Sequence, residues 1–206
     1  MTADAVDRSA AADAAPLLSV RGVSVRFGGI VALDNVSFDV ARGDICGLIG
    51  PNGAGKTTLF NCMSRLYPYQ SGDILLEGRS LTDVPTHEVS GLGLGRTFQN
   101  LAMFQRMTVT DNVMVGAHAR SSAGFIASAL RLRSVAAEER RLLERAREVM
   151  DYLGLMSVAL HPAGALPFAT QKRVELARAL AADPKLLMLD EPAAGLNHEE
   201  LQALTQ

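Results

Sequence analysis

Nine residues in the first third of the chain have the types and the spacing to bind phosphate. The run Gly50–Thr58 fits G-x-x-x-x-G-K-[ST], the pattern of a phosphate-binding loop. Its three glycines let backbone N–H groups approach an anion closely, which side chains would prevent. Lys56 supplies an ammonium for the β- and γ-phosphates of a nucleotide, and Thr57 offers a hydroxyl to Mg²⁺. The residues assigned to phosphate binding are Gly50, Pro51, Asn52, Gly53, Ala54, Gly55, Lys56, Thr57 and Thr58.

An acidic pair follows a second apolar run near the other end of the chain. Leu186–Leu189 is wholly apolar and indicates a strand, and Asp190 and Glu191 come directly after it. At a strand end, Asp190 can hold the water shell of Mg²⁺. Glu191, expected to point the other way, can orient and deprotonate an attacking water. A solvated strand end is the alternative interpretation, and the phosphate loop upstream favours the catalytic one.

The segments on either side of the phosphate loop are those that a nucleotide site requires. Ile45–Ile49 is almost entirely apolar, as a strand buried on both faces should be. Leu59–Leu66 is typical of a helix that stops at Tyr67-Pro68. A strand, a glycine loop and a helix in this order favour a nucleotide site over a glycine-rich turn with a surface lysine.

Two strands of alternating polarity precede this unit and predict an antiparallel β layer beside a parallel core. The first changes phase at Gly22, which predicts a bulge or bend there. It ends at Phe27, an aromatic residue that could be plain core or a platform for an adenine ring, and composition alone favours core. Downstream, Arg131–Leu153 predicts an amphipathic helix, and Leu166–Leu180 predicts a turn and then a helix.

Composition indicates an ordinary globular protein with enough apolar material for a core, since 48% of its 206 residues are hydrophobic and 20% are charged. The net charge of −2 gives no reason to expect a nucleic-acid partner. Cys46 and Cys62 have no metal-binding spacing and are interpreted as reduced core residues, and the four histidines as surface or loop residues. No apolar run approaches the ~20 residues that span a bilayer. Residues 1–16 are expected to be a disordered lead-in.

Taken in order, these motifs resemble the ATP-binding subunit of an ABC transporter over residues 17–206. The elements that carry the resemblance are Gly50–Thr58, Gln99, Leu166–Leu180, Leu186–Glu191 and Ala194-Gly195-Leu196-Asn197. The stretches Arg96–Asn100 and Asp190–Asn197 look like the branch that imports branched-chain amino acids and amides. The resemblance implies an α/β fold, the P-loop NTPase core of an ABC ATPase, with an antiparallel β subdomain and a helical subdomain at about residues 100–182.

The resemblance also implies roles for individual residues. Phe27 would stack on adenine, and Thr57, Gln99 and Asp190 would serve Mg²⁺. Glu191 would be the catalytic base, assisted by Gln99, which would also sense transmembrane permease subunits. ATP and Mg²⁺ are the implied cofactors. The stretch expected to meet the nucleotide of a second ATP-binding subunit, in a head-to-tail dimer, is Pro167, Phe168, Ala169 and Thr170. A solute-binding protein would be an indirect partner, and the chain would act at the cytoplasmic face of the cell membrane.

Two departures from the family pattern stand out. The signature Leu-Ser-Gly-Gly-Gln is replaced by Leu166–Thr170, in which Pro167 has no hydroxyl or N–H and Ala169 could obstruct a phosphate or strain the loop. The chain stops at Gln206, so the last core strands and the switch histidine of the family are expected to be missing, a role that His198 cannot fill. The sequence therefore predicts a C-terminally incomplete domain with weakened activation by its partner.

Three hypotheses follow from the sequence. The leading one is an ATPase subunit that energises import of branched-chain amino acids or related small solutes. The second is a nucleotide-binding ABC fragment or paralogue without useful ATPase activity, suggested by the altered signature. The third is an ABC module for translation or DNA repair, against which stand the single cassette and the lack of a basic face or long coiled coil.

Overall fold

The computed structural model describes residues 15–97, 103–118 and 133–191, and the chain divides into two compact units, residues 1–89 and 90–206. The predicted lead-in of residues 1–16 lies almost wholly outside the described residues. The prediction of a helical subdomain at residues 100–182 stays a prediction.

The first unit contains an antiparallel sheet of four strands in the order β2-β1-β3-β4. Its register shifts next to Gly22, which adopts a left-handed φ of 58°. The bulge predicted from the change of phase is therefore confirmed. The strands are β1 (Leu18–Phe27), β2 (Ile30–Val40), β3 (Ser71–Leu76) and β4 (Arg79–Ser80).

Among the described residues of the first unit, one α-helix forms. This helix, α1, spans Lys56–Met63 and starts inside the phosphate loop, earlier than predicted. It buries Leu59, Cys62 and Met63, and it ends before Arg65, which takes a left-handed φ of 58°. The left-handed backbone at Arg65 therefore ends the helix before Tyr67-Pro68, where the sequence predicted its end. Three short 3₁₀ segments follow, at Leu81–Asp83, Thr86–Glu88 and Ser90–Leu92, the last of them in the second unit.

The buried strand predicted at Ile45–Ile49 is wrong for this structure. The segment forms no strand, and Ile45, Cys46 and Ile49 are exposed. The reason is that a strand is stabilised by its neighbours, and none of the described strands pairs with this segment. An apolar run indicates a tendency to be buried, but a hydrogen-bonding partner must be present for that burial to occur.

The described part of the second unit combines a short parallel strand pair with three helices. Strands β5 (Leu94–Arg96) and β6 (Leu186–Met188) pair in parallel, and the helices are α2 (Val109–Ala117), α3 (Arg133–Tyr152) and α4 (Phe168–Ala181). Short 3₁₀ turns lie at Met156–Val158 and Ala163–Ala165. The core of this unit is formed by Val109, Val113, Ala117, Ala146, Val149, Met150, Leu155, Val174, Ala177 and Ala181.

Two of the predicted helices are confirmed in type and nearly in extent. The amphipathic helix α3 buries Ala146, Val149 and Met150, and Gly154 follows its end with a left-handed φ of 64°. Helix α4 begins directly after Pro167, as a proline at a helix start predicts. The charged face of α3 stays toward solvent, as charge patterning on an amphipathic helix indicates.

Candidate functional site

The phosphate loop has the backbone geometry that its glycines predict. Gly53 and Gly55 take left-handed φ angles of 82° and 85°, and Gly55 is the N-cap of α1. No side chain caps this helix end in the described structure, and no acidic residue occupies its first turn. Helix α1 therefore begins with uncapped N–H groups and a partial positive charge, and Thr57 lies exposed in this turn.

Gly55 is required for a second reason, which is its close packing against β2. A Cβ atom at this position would lie 2.3 Å from the carbonyl oxygen of Ala32 and 2.8 Å from Leu33 Cδ2. Both distances are below van der Waals contact, and the first involves backbone that cannot rotate away. The sheet therefore fixes the position of the loop relative to Phe27 and the rest of β1, all within the first unit.

Lys56 lies across the loop that precedes it. Its Nζ donates to the carbonyl oxygens of Gly50 at 2.7 Å and of Pro51 at 2.9 Å. These neutral acceptors keep the ammonium at the mouth of the loop, where a phosphate oxygen can take their place as a stronger, charge-assisted acceptor.

Phe27 lies at the end of β1 with its side chain 46% exposed. The interpretation of Phe27 as plain core is therefore wrong, because a core ring would be excluded from water. Its ring contacts the ring of Tyr67 edge to face, with centroids 5.5 Å apart. An exposed aromatic ring held by a neighbour is suited to stacking against a flat ligand.

The two acidic residues after β6 lie in different environments. Asp190 is 5% exposed, and its Oδ2 is 3.3 Å from the guanidinium of Arg96, which is also buried. The backbone N–H of Asp190 donates to Thr97 Oγ1 at 3.4 Å. Glu191 is exposed and has a left-handed φ of 49°. The carboxylate of Asp190 is held by its ion pair, whereas that of Glu191 is accessible to water.

The altered signature stretch forms the start of α4. Pro167 is the N-cap residue, no side-chain cap forms at this end, and the first turn holds no acidic residue. Ala169 is helical and is absent from the residues with positive φ, so the backbone strain considered for it is not found. Gln171 Nε2 donates to the carbonyl oxygen of Leu166 at 2.8 Å and holds the preceding turn against the helix.

Gln99, assigned to Mg²⁺ and catalysis, lies outside the described residues, as do Ala194–Asn197 and His198. The loop that follows Gln99 is described from Met103 onward, and the fully buried Asn112 holds it in place. Asn112 Oδ1 accepts from the N–H of Phe104 at 2.8 Å, and its Nδ2 donates to the carbonyl oxygens of Phe104 at 3.0 Å and Thr108 at 2.9 Å.

The sequence analysis missed three supporting residues. Arg96 was noted only within a motif, although an arginine in an otherwise apolar strand signals a buried partner. The sequence around Asn112 is typical of the start of a helix, and nothing in it indicates that the Asn112 side chain is buried. Tyr67 was interpreted as the end of a helix. The partners of all three are distant in sequence or become apparent only in the fold.

Cys62 is buried on α1, where burial raises the pKa of its thiol to about 11 and keeps it neutral. Cys46 is exposed, so its interpretation as a core residue was wrong. Of the described histidines, His87, His118 and His161 are exposed, as predicted. No group of three or more His, Cys, Asp or Glu side chains in the described ranges is arranged to hold a metal ion. Within the same ranges, no helix is long and apolar enough to cross a membrane.

Comparison with known proteins agrees with these features. The family described as "ABC transporter" matches residues 33–194. The high-affinity branched-chain amino acid transport ATP-binding protein LivG of Escherichia coli K12 is 40% identical over 93% of this chain and 75% of LivG. The corresponding protein BraF of Pseudomonas aeruginosa is 39% identical over 92% of this chain and 74% of BraF. The chain thus spans about three quarters of the length of these relatives.

Solved structures give the same fold. The ADP conformation of MJ1267, an ATP-binding cassette of an ABC transporter, has a TM-score of 0.77 at 30% identity and covers 93% of this chain and 74% of that chain. The dimeric structure of MJ0796, a bacterial ABC transporter cassette, has a TM-score of 0.74 at 23% identity and covers 92% of this chain and 80% of that chain. The second likeness concerns the fold alone.

Proposed function

The chain belongs to the ABC transporter family, and from this premise we propose that it binds and hydrolyses ATP to energise the import of branched-chain amino acids or related small solutes. The solute class is supported by the relatives LivG and BraF, which are named as branched-chain amino acid transport ATP-binding proteins. The single structural observation that supports the proposal is the loop Gly50–Thr58, because left-handed glycines, an uncapped helix start and a lysine beside it are the features that suit anion binding.

In the proposed reaction, a water oxygen attacks the γ-phosphorus of ATP, the bond to the β-phosphate oxygen breaks, and ADP and phosphate form. Glu191 takes the proton that the water loses, for which its exposed carboxylate is suited. Lys56 and the N–H groups of the loop stabilise the negative charge on the phosphates. The adenine ring stacks on Phe27.

Oxygen donors suited to Mg²⁺ are present among the assigned residues. They are the hydroxyl of Thr57, the side-chain carbonyl of Gln99 and the carboxylate of Asp190. When bound, the ion would offset negative charge on the phosphates. In the described structure Asp190 is held by Arg96, and we propose that this ion pair keeps the carboxylate oriented for the ion's water shell.

Catalysis would require a second ATP-binding subunit, and transport would require permease subunits in the membrane. We propose that the chain acts as a peripheral subunit on the permease, in a head-to-tail dimer, with a solute-binding protein as an indirect partner. In that dimer the uncapped start of α4, at Pro167–Thr170, would face the nucleotide of the opposite subunit. No nucleic-acid partner is proposed.

A second candidate function is nucleotide binding without useful hydrolysis. The observation that favours it is Pro167 at the N-cap of α4, where the side chain offers no hydrogen bond to a phosphate. One missing charge-assisted contact costs about 1.5–3 kcal/mol, on the order of a ten- to hundredfold loss of rate. This candidate predicts binding of ATP with background turnover even when permease partners are present.

The test of the proposed function is Glu191→Gln, made in the cells that carry this chain and in the purified protein. The amide cannot take the proton, so we expect ATP binding to be kept, phosphate release to fall at least a hundredfold, and uptake of labelled leucine to be lost. ATP binding is measured by equilibrium dialysis and phosphate release by a coupled assay.

Glu139→Gln, an identical change at an exposed position of α3, is the matched control and should leave all three readings unchanged. Full turnover in Glu191→Gln would refute the assignment of the base. Binding without turnover in the unaltered chain, with permease present, would favour the second candidate. Failure of the unaltered chain to bind ATP would refute both.

A further inference from the structure

The exposed aromatic pair at the end of β1 fixes the plane of the Phe27 ring. The rings of Phe27 and Tyr67 are 5.5 Å apart and inclined at 76°, so the edge of one meets the face of the other. In this arrangement Tyr67 covers at most one face of Phe27, which stays 46% exposed. Both side chains are more than 40% exposed, and Ile30, paired with Phe27 across the hairpin, is exposed as well. The pair therefore borders an apolar surface at the end of the sheet.

The segment that carries Tyr67 is attached firmly to the end of β1. The side-chain amide of Gln70 accepts from the backbone N–H of Arg26 at 2.8 Å and donates to the carbonyl oxygen of Arg26 at 3.3 Å. The backbone N–H of Gln70 donates to the carbonyl oxygen of Ser24 at 3.0 Å. These three bonds hold Gln70, three residues after Tyr67, at the end of β1, and they do not depend on the contact between the rings.

The same segment is attached to the helix of the phosphate loop. The backbone N–H groups of Leu66 and Tyr67 both donate to the carbonyl oxygen of Asn61, in the last turn of α1, at 2.8 and 3.2 Å. The first turn of α1 carries Lys56. Tyr67 therefore links the aromatic platform to the element that holds the phosphates, within one compact unit.

We propose that Tyr67 is a positioning residue for the base of the bound nucleotide. Its ring holds Phe27 at the tilt needed to stack on an adenine ring whose phosphates lie in the loop at the other end of α1. This inference rests on the proposed function, because it assumes that Phe27 stacks on adenine. In this proposal Tyr67 affects binding of the base through Phe27 and does not contribute to phosphate binding.

The test compares two ligands, ATP and inorganic triphosphate, on the full chain by isothermal titration calorimetry. Tyr67→Ala should weaken ATP binding on the order of 2- to 12-fold, the range expected when an edge-to-face pair is lost, and should leave triphosphate binding unchanged. Tyr67→Phe keeps the ring and should bind ATP like the unaltered chain. Tyr152→Ala, which removes an equally large and 83% exposed ring from α3, is the matched control and should change neither affinity.

Phe27→Ala separates failure of this inference from failure of the proposed function. If the unaltered chain binds neither ligand, the proposed nucleotide site itself is refuted. If Phe27→Ala leaves ATP affinity unchanged, the stacking of adenine on Phe27 is refuted, and the role of Tyr67 with it. If Phe27→Ala weakens ATP binding but Tyr67→Ala does not, only the role of Tyr67 is refuted. The double variant should bind ATP as Phe27→Ala does, because Tyr67 acts through Phe27. Additive losses, or equal weakening of ATP and triphosphate in Tyr67→Ala, would overturn the inference.

Discussion

Replacing Asn112 with alanine should destabilise the second unit by about 3 kcal/mol. The side chain is 0% exposed and makes three short hydrogen bonds to the backbone of residues 104–108. Each such bond contributes about 1 kcal/mol net, and its loss leaves a backbone group without its side-chain partner.

Asn112→Asp should cost more than Asn112→Ala, although aspartate is closer in shape. The aspartate cannot donate, so its carboxylate would face the carbonyl oxygens of Phe104 and Thr108 in a fully buried site. Urea unfolding followed by circular dichroism measures the loss of free energy. The N–H of Phe104 donates to Asn112 Oδ1 at 2.8 Å, so hydrogen exchange of this amide shows whether the loosening is local.

Val115→Ala is the matched control, because Val115 lies on the same helix and is 41% exposed. It should change the free energy of unfolding by no more than about 0.5 kcal/mol. The reasoning would be refuted if Asn112→Ala were as mild as Val115→Ala, or if the Phe104 amide exchanged at the original rate. An Asn112→Asp variant as stable as the unaltered chain would refute the account of the carbonyl cluster.

Two further predictions concern burial. Cys46 should react quickly with a thiol reagent at pH 8 and Cys62 only after unfolding, because Cys46 is exposed and burial raises the pKa of Cys62 to about 11. Equal reactivity of the two thiols in the folded protein would contradict this. Because the folded state holds the Cys62 proton more tightly than the unfolded state, the contribution of the neutral thiol to the free energy of unfolding is complete below pH 9 and declines as pH rises toward 11. Arg96→Met should lower the free energy of unfolding by about 3–5 kcal/mol, because it leaves a buried carboxylate unpaired. Arg145→Met, which breaks more exposed ion pairs, should cost about 0–1 kcal/mol, and equal losses in urea unfolding would refute the difference.

Local pattern predicted much of the fold. Alternation of polarity located β1 and β2, and the change of phase at Gly22 located the bulge, because side chains alternate with a period of two. The apolar stripe of an amphipathic pattern located α3, and Pro167 located the start of α4. Each of these signals acts within a few residues, which is why a sequence read in order can find it.

Local pattern failed where a partner decides the outcome. Ile45–Ile49 has the composition of a buried strand and is exposed, because no described strand pairs with it. Lys172 and Glu175 are buried on α4, although charge alone predicts exposure, and their charged groups lie 3.8 Å apart. The composition of a segment indicates whether it tends to be buried or exposed, whereas actual burial requires a neighbouring surface that covers it.

The sequence by itself determined the chemistry of the candidate site: the glycines and lysine of the phosphate loop, the acidic pair after β6, and the family to which their order belongs. Only the tertiary structure decided how these groups are held. Arg96 and Asp190 are separated by 94 positions along the chain and meet because β5 and β6 pair in parallel. Phe27 and Tyr67 meet because Gln70 joins their segments. These contacts are set by hydrogen bonding and packing between segments that are distant in sequence, and a local sequence pattern cannot predict them.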